Sequence, residues 1–74
     1  MNEYKMIVGQ NIKTMRKKHN YSQEYLSAEA KISLSNYREI EHGKANPTID
    51  TLSKIADKFG VYVGMLFEKP EEFK

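Results

Sequence analysis

Residues 22–43 read SQEYLSAEAKISLSNYREIEHG, and this stretch predicts two short helices joined by a tight turn. Ser22 is a good N-cap for a helix over about residues 23–30, because its hydroxyl can accept a hydrogen bond from a backbone N–H of the first turn. Ser33 is a second cap, for a helix over about residues 34–42. A turn of about three residues makes two helices cross steeply, so one of them can project from the body of the protein.

The second of these helices is predicted to have a core face and an outward face. At about 100° per residue, Tyr37 and Ile40 point to the same side, and as apolar residues they should face the core. The side chains on the outward face and its flanks are suited to reading DNA bases; they are Leu34, Ser35, Asn36, Arg38 and Glu39. A projecting helix fits the major groove of B-DNA, which is about 12 Å wide. The stretch therefore predicts double-stranded DNA as the partner.

The rest of the chain predicts further helices around this pair. A first helix over about residues 3–19 has an apolar stripe at helical spacing, and Asn20 can end it in the left-handed conformation. A later helix begins after the cap Thr48 and ends at Gly60. The stripe residues are Tyr4, Val8, Ile12 and Met15 in the first helix and Leu52, Ile55, Ala56 and Phe59 in the later one. Residues 63–67 can add one more turn, and no alternating strand pattern is found, so the expected fold class is all-α.

Composition restricts the function classes. The chain has 74 residues and no cysteine, which indicates one domain without disulfides. Its net charge is only +2, but residues 1–46 carry eight Lys/Arg against five Asp/Glu (+3), while residues 47–74 carry four against five (−1). The two histidines make a poor metal site, so no metal or cofactor is expected. No apolar run or signal peptide is present, which predicts a cytoplasmic protein without membrane contact.

The chain resembles the phage-repressor helix-turn-helix family, often called Cro/CI-like or Xre-like, over roughly residues 8–67. The matching features in chain order are Ile12 with Lys13 and Arg16, Ser22-Gln23, Leu26, Ala30, Ile32-Ser33, Ile40-Glu41, Gly43-Lys44, Pro47, Leu52, Ile55-Ala56, Gly60-Val61 and Leu66-Phe67. The resemblance implies a compact five-helix, lambda-repressor-like DNA-binding domain over residues 1–68, with the helix-turn-helix in helices 2 and 3. A short C-terminal tail, residues 69–74, would follow it.

The resemblance also implies roles for individual residues. The base-reading positions are those of the outward face, Leu34, Ser35, Asn36, Arg38 and Glu39. Gln23 occupies a phosphate-contacting position, and the loop with His42, Lys44 and Asn46 one that grips the DNA backbone. Arg16 and Glu41 stand where family members form a buried or half-buried ion pair. Lys13 and Lys17 are added as phosphate contacts because they flank the third helix.

Four residues depart from the family pattern. Lys31 stands where the turn usually has glycine, which predicts a positive φ at a cost of about 1 kcal/mol. Tyr37 replaces a usual Ile or Val, so its pocket must be enlarged or its hydroxyl must reach the surface. Ser27 replaces a usual Ala, and Tyr62 stands where a Ser or Asp cap is common.

The expected function is that of a transcriptional regulator, a repressor that binds a near-palindromic operator as a homodimer. The dimer contact is expected in the C-terminal region, whose apolar residues are more than one short turn can bury; they are Val61, Tyr62, Val63, Met65, Leu66, Phe67 and Phe73. The alternative is a protein-interaction module, antitoxin-like or an adaptor, that keeps the fold without specific DNA binding. An enzyme is not expected, because no nucleophile with a positioned base and no phosphate loop is found. No small-molecule ligand is indicated.

Overall fold

The computed structural model describes residues 2–69, which form four α-helices followed by a 3-10 helix. The elements are α1 (Asn2–Lys18), α2 (Gln23–Ala30), α3 (Leu34–Glu41), α4 (Ile49–Phe59) and the 3-10 helix (Val63–Phe67). The all-α fold class is confirmed, and no strand occurs in residues 2–69. Of the predicted tail, only Lys69 lies within the described residues.

Of the five expected helices, the last is a short 3-10 helix rather than an α-helix. Gly60 has φ 71° and ends α4, and the segment that follows is only five residues long. Its capping residue Tyr62 makes no side-chain cap bond, and the Met65 N–H donates to the Tyr62 carbonyl three residues back at 2.9 Å. Hydrogen bonds over three residues produce the tighter 3-10 winding, which is common in short pieces.

The helix starts follow from local chemistry, as predicted. The side chains of Ser22, Ser33 and Thr48 each accept a hydrogen bond from the backbone N–H three residues later, at 2.9–3.1 Å. Two helix ends use the left-handed conformation without glycine, since Asn20 has φ 59° and Lys31 has φ 61°. The predicted positive φ at Lys31 is therefore confirmed.

The core lies between the four α-helices and the 3-10 helix. Helix α1 packs against α3 and the 3-10 helix, and α2 packs against α3 and α4. The side chains with the smallest exposure come from every element, and they are Ile12, Leu26, Tyr37, Ile55 and Leu66. Tyr4, expected in the stripe of α1, is instead 53% exposed, with its ring 6.2 Å from that of Phe67. The buried stripe begins at Ile7, three residues along the helix.

Gly9 allows α1 to approach α3 closely. A Cβ atom at this position would meet the backbone carbonyl of Ile40 and would lie 2.7 Å from that of Glu41. Because the obstacle is backbone, a side chain at position 9 would push the two helices apart. Gly9 therefore sets how deeply α3 sits on α1.

Among the residues that the structure describes, no helix is both long and apolar enough to span a bilayer.

Candidate nucleic-acid interface

Helix α3 presents a polar face to solvent and fixes its rotation with buried residues. Tyr37 and Ile40 are buried, with 0% and 2% exposure. The predicted base-reading residues lie on the other side of the helix, where Leu34 is half-buried and the remaining ones are exposed: Ser35, Asn36, Arg38 and Glu39. The rotation of the helix is thus the one that its apolar spacing predicts.

Beneath this face lies a group of buried and half-buried polar side chains, here called the Glu41 cluster: Arg16, Gln23, Tyr37 and Glu41. The structure brings Arg16 and Glu41 together, with Nε 2.7 Å from Oε2 and Nη2 3.3 Å from Oε1. The Gln23 Nε2 donates to Glu41 Oε1 at 3.0 Å, and the Tyr37 hydroxyl donates to Oε2. The Glu41 side chain is only 2% exposed and that of Arg16 13%, so this pair is largely removed from water.

The cluster holds Glu41 in its ionised form. Burial alone would raise the pKa of the Glu41 carboxyl, but hydrogen bonds from Arg16, Tyr37 and Gln23 outweigh it and lower the pKa. The hydrogen bond to Glu41 raises the pKa of Arg16 against the opposing effect of burial. Burial, and then the hydrogen bond to Glu41, raise the pKa of Tyr37, so its hydroxyl stays protonated and acts as a donor.

Tyr37 is accommodated inside the core, so of the two expectations the exposed hydroxyl is wrong. Its hydroxyl does not reach the surface, because the residue is 0% exposed. Instead the hydroxyl turns toward Glu41, four residues later on the same helix. A buried hydroxyl needs a hydrogen-bond partner, and the carboxylate provides a charged one. The substitution of an aliphatic residue by Tyr therefore adds a donor to the ion pair.

Ser27, which also departs from the family pattern, is buried as well. Its hydroxyl donates a hydrogen bond to the Glu24 carbonyl at 3.0 Å.

The cluster continues to the exposed face through Gln23. Its Oε1 accepts a hydrogen bond from Arg38 Nε at 3.1 Å, while its Nε2 is held by Glu41. Sequence reasoning assigned Gln23 to a phosphate and did not find this link. The link joins residues 15 positions apart, and no local spacing pattern indicates such a contact.

The remaining predicted phosphate contacts are accessible. Lys13 on α1 is half-buried, and Lys17 is exposed one turn later. The loop that follows α3 carries the other three, and its polar residues His42, Lys44 and Asn46 are all exposed. Within residues 2–69 no group of three His, Asp or Glu side chains is arranged to hold a metal ion.

The fold and the arrangement of α2 and α3 define a helix-turn-helix protein. The helix-turn-helix family HTH_3 matches residues 12–66, and the chain belongs to this family. It is also similar to the immunity repressor protein of Bacillus phage phi105, with 36% identity over 61 residues. The resemblance to the phage-repressor type of helix-turn-helix is thereby confirmed. The match covers 82% of this chain and 42% of the phage protein, so the chain spans less than half the length of that relative.

Solved structures show the same fold. The SinR–SinI protein complex contains a chain with TM-score 0.79 and 32% identity, which covers 90% of this chain and 66% of the other. The competence regulator ComR from Streptococcus vestibularis has TM-score 0.78 and 30% identity over 95% of this chain and 25% of its own. A hypothetical transcription factor from Neisseria has TM-score 0.84 at 20% identity, covering 99% of this chain and 85% of its own, a likeness of fold alone. Family and fold are those of transcription regulators.

Proposed function

We propose that this chain is a sequence-specific transcriptional repressor that binds double-stranded DNA with α3 in the major groove. One observation carries the proposal: α3 exposes a polar face while buried residues and the Glu41 cluster fix its rotation. A reading helix needs this combination, because its side chains must meet base edges without adjustment. The similarity to a phage immunity repressor supports the repressor role. Such a function requires access to the cell's DNA and so implies a cytoplasmic location.

Base reading is assigned to the exposed face of α3. Arg38 offers a planar fork that suits O6 and N7 of guanine, and Glu39 can accept a hydrogen bond from the N4 amine of cytosine. Ser35 and Asn36 can bond to several base edges, and Leu34 can contact a thymine methyl group. The carboxylate of Glu39 is repelled by phosphates, so it contributes to discrimination rather than to overall affinity.

Phosphate binding is assigned to side chains that flank this helix. Lys13 and Lys17 lie on α1, and the loop after α3 adds His42, Lys44 and Asn46. Each cation that neutralises a phosphate releases a counterion, so the affinity should fall steeply as salt rises. A Lys44→Ala variant should bind all sequences more weakly and reduce the salt slope by about 1.

A homodimer is proposed through the C-terminal face. Tyr62 is 86% exposed and Met65 is 42% exposed, and both line a concave surface with Val61. Leu66, expected among the contact residues, belongs to the monomer core, and Phe73 lies outside the described residues. Two-fold pairing would set two α3 helices about 34 Å apart, one turn of DNA, and would favour a near-palindromic operator.

The decisive experiment compares wild type with Arg38→Ala on a preferred site selected from a random DNA pool and on all its single-base variants. Arg38→Ala should lose about 1–3 kcal/mol on the preferred site and relax the preference at one base pair. Lys44→Ala is the matched control, since it removes a cation without removing a base contact. A flat salt dependence and no selected site would contradict the proposal and favour the protein-interaction module.

A further inference from the structure

One glutamine connects the buried Glu41 cluster to the exposed base-reading face. Gln23, the first residue of α2, donates from Nε2 to Glu41 Oε1 at 3.0 Å and accepts at Oε1 from Arg38 Nε at 3.1 Å. Arg38 and Glu41 lie three residues apart on α3, about one helical turn. A single side chain of α2 therefore holds α3 at two successive turns, one buried and one exposed.

The two partners leave the Gln23 amide only one orientation. Ionised Glu41 can only accept hydrogen bonds, and the guanidinium of Arg38 can only donate them. The amide NH2 must therefore face Glu41, and the amide oxygen must face Arg38. Other side chains of similar length fail on one side: a Glu at this position would repel Glu41, and a Lys would repel Arg38. The buried carboxylate of Glu41 thus determines how the Gln23 amide is oriented toward Arg38.

This contact leaves a defined part of Arg38 for DNA. Its Nε–H is occupied by Gln23, so the two terminal Nη groups remain as parallel donors at the end of the side chain. That end-on pair matches the two acceptors, O6 and N7, on the major-groove edge of guanine. Holding the base of the guanidinium also reduces the rotamer freedom that a long side chain loses on binding.

We propose that Gln23 is a positioning residue that sets the base preference at Arg38, an inference that rests on the proposed DNA-binding function. Gln23 acts by orienting Arg38, and the hydrogen bond to Glu41 holds the Gln23 side chain in place. The resemblance to the family implies instead a phosphate contact for Gln23. The two roles differ in what they control: a positioning residue controls discrimination between bases, whereas a phosphate contact controls affinity for every sequence equally.

Two substitutions separate these roles. Gln23→Met keeps the length of the side chain and removes both hydrogen bonds; it should lose about three- to tenfold on the preferred operator, the range that one hydrogen bond contributes. It should lose little on operators altered at the Arg38 base pair, and nothing further in an Arg38→Ala background. Gln23→Lys can still donate to Glu41 but repels Arg38. It should bind random DNA more tightly, with a salt slope steeper by about 1, and still lose discrimination at that base pair.

A measurement without DNA tests the contact itself. The Arg38 Nε–H should exchange slowly with solvent in the NMR spectrum of the free wild-type protein and rapidly in Gln23→Met. Gln10→Met is the matched control, because Gln10 is exposed and, within residues 2–69, its side chain bonds only to Thr14 on its own helix, at 3.3 Å. It should leave the Arg38 signal unchanged. Thermal unfolding confirms that each variant is folded.

The outcomes distinguish the inference from the function beneath it. If Gln23→Met weakens every operator equally and Gln23→Lys keeps full discrimination, Gln23 is a phosphate contact and the inference is overturned. Fast exchange of the Arg38 Nε–H in wild type overturns it as well. If wild type binds no DNA while that proton exchanges slowly, the contact exists but the proposed function fails, and the specificity role fails with it.

Discussion

Removing one oxygen atom from Tyr37 should destabilise the fold measurably. In Tyr37→Phe the ring keeps its place in the core, and only the hydroxyl that donates to Glu41 Oε2 is lost. A hydrogen bond to a charged group contributes about 1.5–3 kcal/mol. Glu41 keeps its donors from Arg16 and Gln23, so we expect a loss at or just below the lower end of that range, about 1–2 kcal/mol.

This loss of unfolding free energy can be converted into a shift of the melting temperature, Tm. At about 2.1 cal/mol/K per residue, 74 residues have an unfolding entropy of about 0.16 kcal/mol/K. The Tm of Tyr37→Phe should therefore fall by about 6–13 °C at neutral pH, measured by circular dichroism. Tyr4→Phe is the matched control, because Tyr4 is 53% exposed and lies outside the proposed dimer face, so its change should stay within about 0.5 kcal/mol.

The difference in stability between the wild type and Tyr37→Phe should become smaller in acid. The pKa of Glu41 in the folded state lies below its ordinary value of 4.5, so its ionised contacts stabilise the protein above pH 4.5. This contribution is lost as the pH falls from 4.5 through the lowered pKa. Since the variant lacks one donor, its Glu41 pKa is less lowered, and the gap between the two proteins should close over that range. An unchanged Tm at neutral pH, or a gap that persists in acid, would refute the hydrogen bond to ionised Glu41.

Three further predictions concern the ion pair, the reading face and the dimer. A double-mutant cycle with Arg16→Gln and Glu41→Gln, followed by urea unfolding, should give a coupling above the roughly 0.2–1 kcal/mol of exposed pairs, because this pair is largely buried; a coupling near zero would contradict it. Glu39→Ala should weaken discrimination in binding to single-base operator variants while leaving or improving affinity for random DNA, and an unchanged profile would mean that Glu39 is merely solvated. Sedimentation should show a dimer at high micromolar concentration that Tyr62→Glu converts to monomer; a monomeric wild type, with and without DNA, would rule the dimer out.

Local features of the fold were predictable because they depend on neighbours in the chain. The caps at Ser22, Ser33 and Thr48 bond to backbone groups three residues away, and the spacing of Tyr37 and Ile40 sets the rotation of α3. The left-handed conformation could be predicted at Asn20 and Lys31, because both residues stand where a helix ends. The position of the last helical segment was predicted correctly, but its 3-10 type was not. Over only five residues, α and 3-10 winding compete closely.

The candidate site was predictable as a set of positions but not as a set of contacts. The resemblance named Arg16 and Glu41 as partners, and the polar face of α3 was read from its periodicity. The hydroxyl of Tyr37 was expected at the surface or in a larger pocket, although Glu41 lies four residues later on α3, a spacing at which helical side chains can meet. The Gln23–Arg38 contact had no such local signal, because two side chains of different helices meet only after α2 and α3 have packed.

The helices, their caps, the all-α class and the outward face of α3 follow from the amino-acid sequence, because each of these depends on chemistry within about one helical turn. Tertiary structure alone decided how closely α1 approaches α3 across Gly9, that Tyr4 stays exposed, and that Gln23 links a buried carboxylate to an exposed guanidinium. These features join residues far apart in the chain. Their distances are set by the packing of whole helices, which no local pattern encodes.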